Sequence, residues 1–113
     1  MPGMQLAAVK LKAGALVTNS EIYQDAIKTF GERNQIIKAI EELNELSTAL
    51  ARYLNNIGDI KNIAEELADV DVMCEQLCMM FKNRAEVLKV KQAKVTRLRR
   101  TIAAEKAKRT GVI

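Results

Sequence analysis

Apolar residues recur at three- and four-residue steps through most of this 113-residue chain, the period of a helix buried along one side. The clearest run is Ile36, Ile40, Leu43, Ser47, Leu50 and Leu54, an apolar stripe broken only by Ser47, and it predicts a helix over residues 32–56. A second stripe, Ile63, Leu67, Val70, Cys74, Leu77 and Phe81, predicts a helix over 60–83. Between them Asn55-Asn56-Ile57-Gly58-Asp59 reads as a turn, with Asp59 placed to cap the second helix. So short a connection makes the two helices antiparallel neighbours.

The flanks are less regular. Asn19 or Ser20 caps a shorter helix that runs to Phe30, where Gly31 interrupts it. Downstream a long pattern covers 85–108, with Leu88, Val95 and Ile102 at seven-residue intervals and Leu98 between the last two. It suggests a weak coiled-coil seam, although Lys91 and Glu105 spoil a strict heptad. Residues 1–18 show no sustained period and read as a flexible or loosely docked arm. The predicted division is therefore an arm over 1–18, a helical core over 19–84, and a basic helix and tail over 85–113.

Composition supports helices. Only 4% of the chain is aromatic, Pro occurs once, and Ala, Leu, Ile, Glu and Lys dominate. The expected fold is all-α, a helical bundle built on the central antiparallel pair, and an all-β fold is close to excluded. With 49% hydrophobic residues, the chain suits one soluble domain. There is no His, which removes imidazole bases and His-ligated metals. Cys74 and Cys78 are the only thiols, too few for a zinc site or a secreted disulfide scaffold, and a reduced cytoplasmic setting is expected. No apolar run approaches the roughly 18–20 residues of a membrane span. The start is a poor signal peptide, because Lys10 and Lys12 interrupt its apolar stretch.

Charge is uneven. Residues 82–113 carry a net +9 and the remainder −5, and eight of the fourteen acids fall between Glu41 and Asp71. The acids hold the more specific pattern. Glu41-Glu42-Leu43-Asn44-Glu45 and Glu65-Glu66-Leu67-Ala68-Asp69 each contain an acid-x-x-acid pair, Glu42 with Glu45 and Glu66 with Asp69. Three-residue spacing sets both members on one helix face, where like charges repel by roughly 0.2–0.5 kcal/mol. Glu42 shares its row with Leu46, Ala49 and Tyr53, and Glu66 shares its own with Val70, Met73 and Leu77. Both acids thus sit at the edge of an apolar row, and a polar residue that contradicts its local pattern marks a place to look for function. Glu45 lies thirteen residues before Gly58 and Asp69 eleven after it, so an antiparallel pair brings the acids together. Four converging carboxylates suit a hard divalent ion, Mg²⁺ above all, that keeps some waters for substrate phosphates.

These residues carry a resemblance. Phe30-Gly31, Gln35 and the run Ala39-Ile40-Glu41-Glu42-Leu43-Asn44-Glu45-Leu46 resemble the first motif of MazG-like nucleotide pyrophosphohydrolases, and Glu65-Glu66-Leu67-Ala68-Asp69-Val70 resembles their second. The family pattern is E-x-x-E, a spacer, then E-x-x-D; here the spacer is residues 46–65. The likeness covers residues 23–98 and is nearest to the short stand-alone versions typical of phages and bacteria. It implies a helical bundle completed by oligomerisation, as a homodimer or homotetramer. It also implies Mg²⁺-dependent hydrolysis, with Mn²⁺ as a substitute, of a nucleoside triphosphate to monophosphate and pyrophosphate. Carried over, Glu42, Glu45, Glu66 and Asp69 become the metal ligands, with Glu41 and Glu65 as accompanying acids. Lys94-x-x-Arg97-Leu98 is similar to a basic segment of the short members, for which phosphate contact is expected.

With no His, water activation falls to the metal or to a carboxylate such as Glu42 or Glu45. Lys38, Lys61, Lys91, Lys94 and Arg97 are candidates to offset phosphate charge. Gln35, Asn34 and Asn44 are candidates for hydrogen bonds to a base. The rival reading is a non-enzymatic helical nucleic-acid-binding or adaptor protein that uses the +9 segment on phosphates. Against nucleic acid, no aromatic residue follows Phe81 for stacking on single strands.

Overall fold

The computed structural model describes residues 8–10 and 16–111. Four helices, α1 (Asn19–Phe30), α2 (Glu32–Leu54), α3 (Ile60–Phe81) and α4 (Arg84–Arg109), follow two short strands, β1 (Ala8–Lys10) and β2 (Leu16–Thr18). The fold is all-α, a helical bundle. The strands pair antiparallel with Val9 opposite Val17, so part of the arm predicted for 1–18 carries a ladder that its sequence did not announce. Three-residue strands are too short to display an alternating pattern. The rest of that arm lies outside the described residues.

Local chemistry sets the helix ends. The cap of α1 is Thr18, one residue before the predicted Asn19. Its hydroxyl accepts from the Glu21 N–H at 3.1 Å, and the Glu21 carboxylate accepts from the Thr18 N–H at 2.8 Å. Gly31, at φ +91°, ends α1 in a backbone conformation that side-chain-bearing residues rarely adopt, while its N–H donates to the Ile27 carbonyl. Asp59 caps α3 as predicted, its carboxylate accepting from the Asn62 N–H at 2.6 Å. Gly58 lies so close to the end of α2 that a Cβ there would stand 3.1 Å from the Tyr53 nitrogen and 3.2 Å from the Arg52 Cβ.

The chain divides into two units, Met1–Phe81 and Lys82–Ile113. In the first, α1 packs on both α2 and α3, which pack on each other. Gln35, early in α2, bonds Gln76, late in α3, while Arg52 and Asn62 at the other ends line one cleft, so the pair is antiparallel. The second unit contains α4, which is exposed along nearly its whole length, with Ala107 half-buried. None of the described helices is long and apolar enough to cross a membrane.

The buried face of α2 departs from expectation. It is formed by Gln35, Ala39, Glu42 and Ala49, with Leu46 half-buried. Much of the stripe read as the core side is exposed: Leu43 is 49% and Leu54 80% accessible, and Ile40 and Leu50 are also open. Helix α2 carries two apolar rows, and α3 packs on the one with small residues, because Ala39 and Ala49 permit close approach of the backbones. On α3 the predicted stripe splits in the same way. Ile63, Val70 and Leu77 are half-buried, whereas Leu67, Cys74 and Phe81 face outward. Among the described residues the buried apolar side chains are Ala39, Ala49 and Met73, a thin core for a chain this apolar.

Candidate metal centre

The row that α2 turns toward α3 places Glu42 inside the unit, 7% exposed. One turn earlier Lys38 sets its ammonium 3.0 Å from Glu42 Oε2, the i, i+4 geometry of a helix surface. The other oxygen of that carboxylate, Oε1, is buried and has no partner; the same is true of Glu66 Oε1. A buried polar atom left without a partner costs about 1–3 kcal/mol, and more when charged. Two such atoms, one on each helix of the pair, describe a site with an unmet demand for positive charge.

Glu45 completes the group. A carboxylate oxygen from each of Glu42, Glu45 and Glu66 lies within 4.8 Å of the others. Glu42, first of all, then desolvation and Glu66, push the Glu45 carboxyl above the usual carboxylate range, and Lys38 opposes them only in part. Lys38 is correspondingly held charged by its bond to Glu42. Three carboxylates against one ammonium leave an excess of negative charge, the condition under which a divalent cation is taken up. Oxygen donors alone suit Mg²⁺, Mn²⁺ or Ca²⁺ and not the soft metals. The chemistry of the donor set and the two orphaned oxygens therefore fit such an ion.

The structure brings together three of the four predicted ligands. Asp69 is exposed on α3 and is not one of the group. Gln35, expected to face a substrate, is instead buried between the helices, its Nε2 donating to Gln76 Oε1. Lys38 stands beside the carboxylates, engaged with Glu42. Lys91, Lys94 and Arg97 belong to α4 in the second unit and are exposed; Lys91 and Lys94 flank a largely apolar groove formed with Val87, Val90, Val95 and Leu98. The thiols stay apart from the carboxylate group, and partial desolvation with Asp71 nearby pushes the Cys74 thiol up, away from the nucleophilic thiolate.

An open cleft of about 350 Å³ adjoins the carboxylates, lined by Asn44, Glu45, Thr48, Arg52, Asn62 and Glu66. Of its lining, Thr48, Arg52 and Asn62 have no counterpart among the residues that the sequence nominated. The signal for them is positional: Arg52 follows Glu45 by seven residues and Asn62 precedes Glu66 by four, which sets each on the face of an acid. Neither a family model, nor a curated protein, nor a solved structure matches this chain.

Proposed function

We propose that the protein is a divalent-cation-dependent nucleoside triphosphate pyrophosphohydrolase of the MazG-like kind, with Glu42, Glu45 and Glu66 holding the ion. The observation that carries this reading is the pair of buried, unpartnered oxygens on Glu42 and Glu66 within one three-carboxylate group. A solvated acidic face would turn those oxygens to water. Held by Glu42, Glu45 and Glu66, a divalent ion would supply positive charge to the phosphate oxygens and to the departing pyrophosphate.

In the reaction the oxygen of a water bonds to the α-phosphorus. The bond from that phosphorus to the oxygen bridging to the β-phosphorus breaks, its electron pair leaves with pyrophosphate, and the water gives up a proton. In this reading Glu45, which is exposed, accepts that proton, whereas Glu42 is buried and tied to Lys38. Lys38 holds Glu42 in place from one turn away. Asp69, outside the group, serves in this reading as a solvent-side neighbour.

The oligomeric part of the reading rests on the exposed row of α2. Ile40, Leu43 and Leu50 present an apolar face beside a thin core, and a second copy of the chain is the occupant proposed for it. The test of the activity is pyrophosphate release from a panel of nucleoside triphosphates with Mg²⁺. Turnover by the wild type that falls at least a hundredfold in Glu42→Gln and Glu66→Gln is expected. Equal turnover by all three removes the site, and no turnover on any triphosphate removes the activity.

One observation favours a second reading. Helix α4 carries exposed side chains along nearly its whole length and belongs to a segment of net +9, the footprint of a phosphate-binding surface. Binding to random-sequence DNA that falls steeply with salt and ignores Mg²⁺ would favour that reading over the first.

A further inference from the structure

We infer that Arg52 is the phosphate-binding residue of the cleft, so that a bound polyphosphate runs from the carboxylate group toward the turn that joins α2 to α3. The inference rests on the proposed metal site and adds the direction and anchor of the ligand. Arg52 is the cation that lines the cleft shared by Glu45 and Glu66. Among the described residues its guanidinium makes no ion pair, whereas Lys38, on the other side of the carboxylates, is already engaged.

Its place is built by the fold. Glu42, Glu45, Ala49 and Arg52 fall on one face of α2, and seven residues of helix separate Glu45 from Arg52 by about 10.5 Å along the axis. That span admits a metal-bound diphosphate met by an extended arginine side chain. At the far end Gly58 closes on the Arg52 stem, where an added Cβ would stand 3.2 Å from Arg52 Cβ. The turn thus packs against the base of this side chain. A second hollow of about 420 Å³ shares Arg52 and Asn62 with the cleft and is lined as well by Asp59, Lys61 and Glu65, so the cationic anchor for the polyphosphate remains Arg52.

The chemistry of the lining selects the ligand. An anion that satisfies both a cation at the carboxylates and a guanidinium two turns away needs two charged groups in line. Pyrophosphate, free or as part of a nucleotide, has them. A planar guanidinium forks onto two phosphate oxygens, which a lysine cannot do. Beside the two charged ends the cleft offers the neutral side chains of Asn44, Thr48 and Asn62, with the Thr48 hydroxyl donating to the Asn44 carbonyl at 3.0 Å. The opposite orientation, with the base toward the turn, leaves the guanidinium without an anion.

The experiment is calorimetric titration of the full chain with Mn²⁺ alone, then with pyrophosphate and with a nucleoside monophosphate in saturating Mg²⁺. Wild type is compared with Arg52→Ala and with Arg52→Gln, which keeps the aliphatic stem beside Gly58. The expected result is a loss of at least tenfold in pyrophosphate affinity in both variants, with Mn²⁺ affinity within twofold of wild type. Unchanged pyrophosphate affinity, or a loss confined to the monophosphate, overturns the inference. Wild type that takes up Mn²⁺ but not pyrophosphate also overturns it and leaves the metal site standing. Wild type that takes up neither overturns the metal site, and the inference falls with it.

Discussion

Gln35 and Gln76, 41 residues apart in sequence, share a buried hydrogen bond, Nε2 of Gln35 donating to Oε1 of Gln76 at 2.7 Å. Both are at least nine-tenths buried, Gln35 at 8% and Gln76 at 5% accessibility. Apolar packing, such as that of Ala39, Ala49 and Met73, is not directional, so a hydrogen bond at one end helps to hold the register. Register is what brings Glu66 level with Glu45 at the other end.

Replacing either glutamine with leucine therefore leaves its partner unsatisfied, and each single variant is expected to lose about 1–3 kcal/mol in urea unfolding. The double leucine variant is expected to cost less than the two losses added, by a coupling of about 0.5–3 kcal/mol. Strict additivity would show that the two amides act independently.

The Glu45 carboxyl is held above the ordinary range chiefly by Glu42. A carboxyl raised in the folded state favours folding below its ordinary value, and that contribution is lost as the pH climbs through the raised value. Without divalent cations, Glu45→Gln is expected to melt above wild type at pH 7, with the gap closing toward pH 4. Saturating Mg²⁺ at pH 7 reverses the order, because a ligand at a hundredfold its Kd adds about 2.7 kcal/mol to the form that binds it. Thermal melts at the two pH values, with and without the ion, check both signs.

Leu43 lies at the middle of the open row on α2. If a second copy covers it, each buried leucine contributes about 1.5–3 kcal/mol to association. Leu43→Lys is expected to shift the protein from an oligomer to a monomer in sedimentation velocity at micromolar concentration, with its helix content kept. A monomeric wild type would contradict this.

Gly58→Ala forces a Cβ against the backbone nitrogen of Tyr53, 3.1 Å away, and helix backbone yields less readily than a side chain. Overpacking of this kind costs about 1–3 kcal/mol. A loss in that range by denaturant unfolding is expected, and an unchanged midpoint would mean that the turn is loosely closed.

Much of this fold is legible in the sequence because helix ends are local chemistry. Gly31, Asp59 and the 55–59 turn mark their boundaries through backbone freedom and side-chain caps that a few residues contain. Thr18 is legible too, since Thr18-x-x-Glu21 is a capping box, although the stronger capping tendency of Asn19 and Ser20 points one or two residues further on. The faces were harder to read. Periodicity reports that Ile40, Leu43 and Leu50 share a side of α2, but not whether a helix of the same chain covers that side. Ala39 and Ala49 decided it by letting α3 approach, and a row containing Glu42 did not look like the inner one.

The site divides in the same way. Glu42, Glu45 and Glu66 follow from the paired motifs and the short turn, whereas the exposure of Asp69 depends on the rotation of α3, which spacing does not fix. Arg52 belongs to no motif. Its seven-residue offset from Glu45 sets it on the same face, but the cleft that gives this position meaning forms only when Asn62 and Glu66 are folded back beside it.

Whether Glu42, Glu45 and Glu66 hold a divalent ion is tested by a Mn²⁺ titration of wild type, Glu42→Gln and Glu66→Gln, read by the loss of the free-ion paramagnetic signal. One ion per chain is expected for wild type and at least tenfold weaker uptake in each variant, with both variants folded. Equal uptake by all three, or none by the wild type, would contradict such a site.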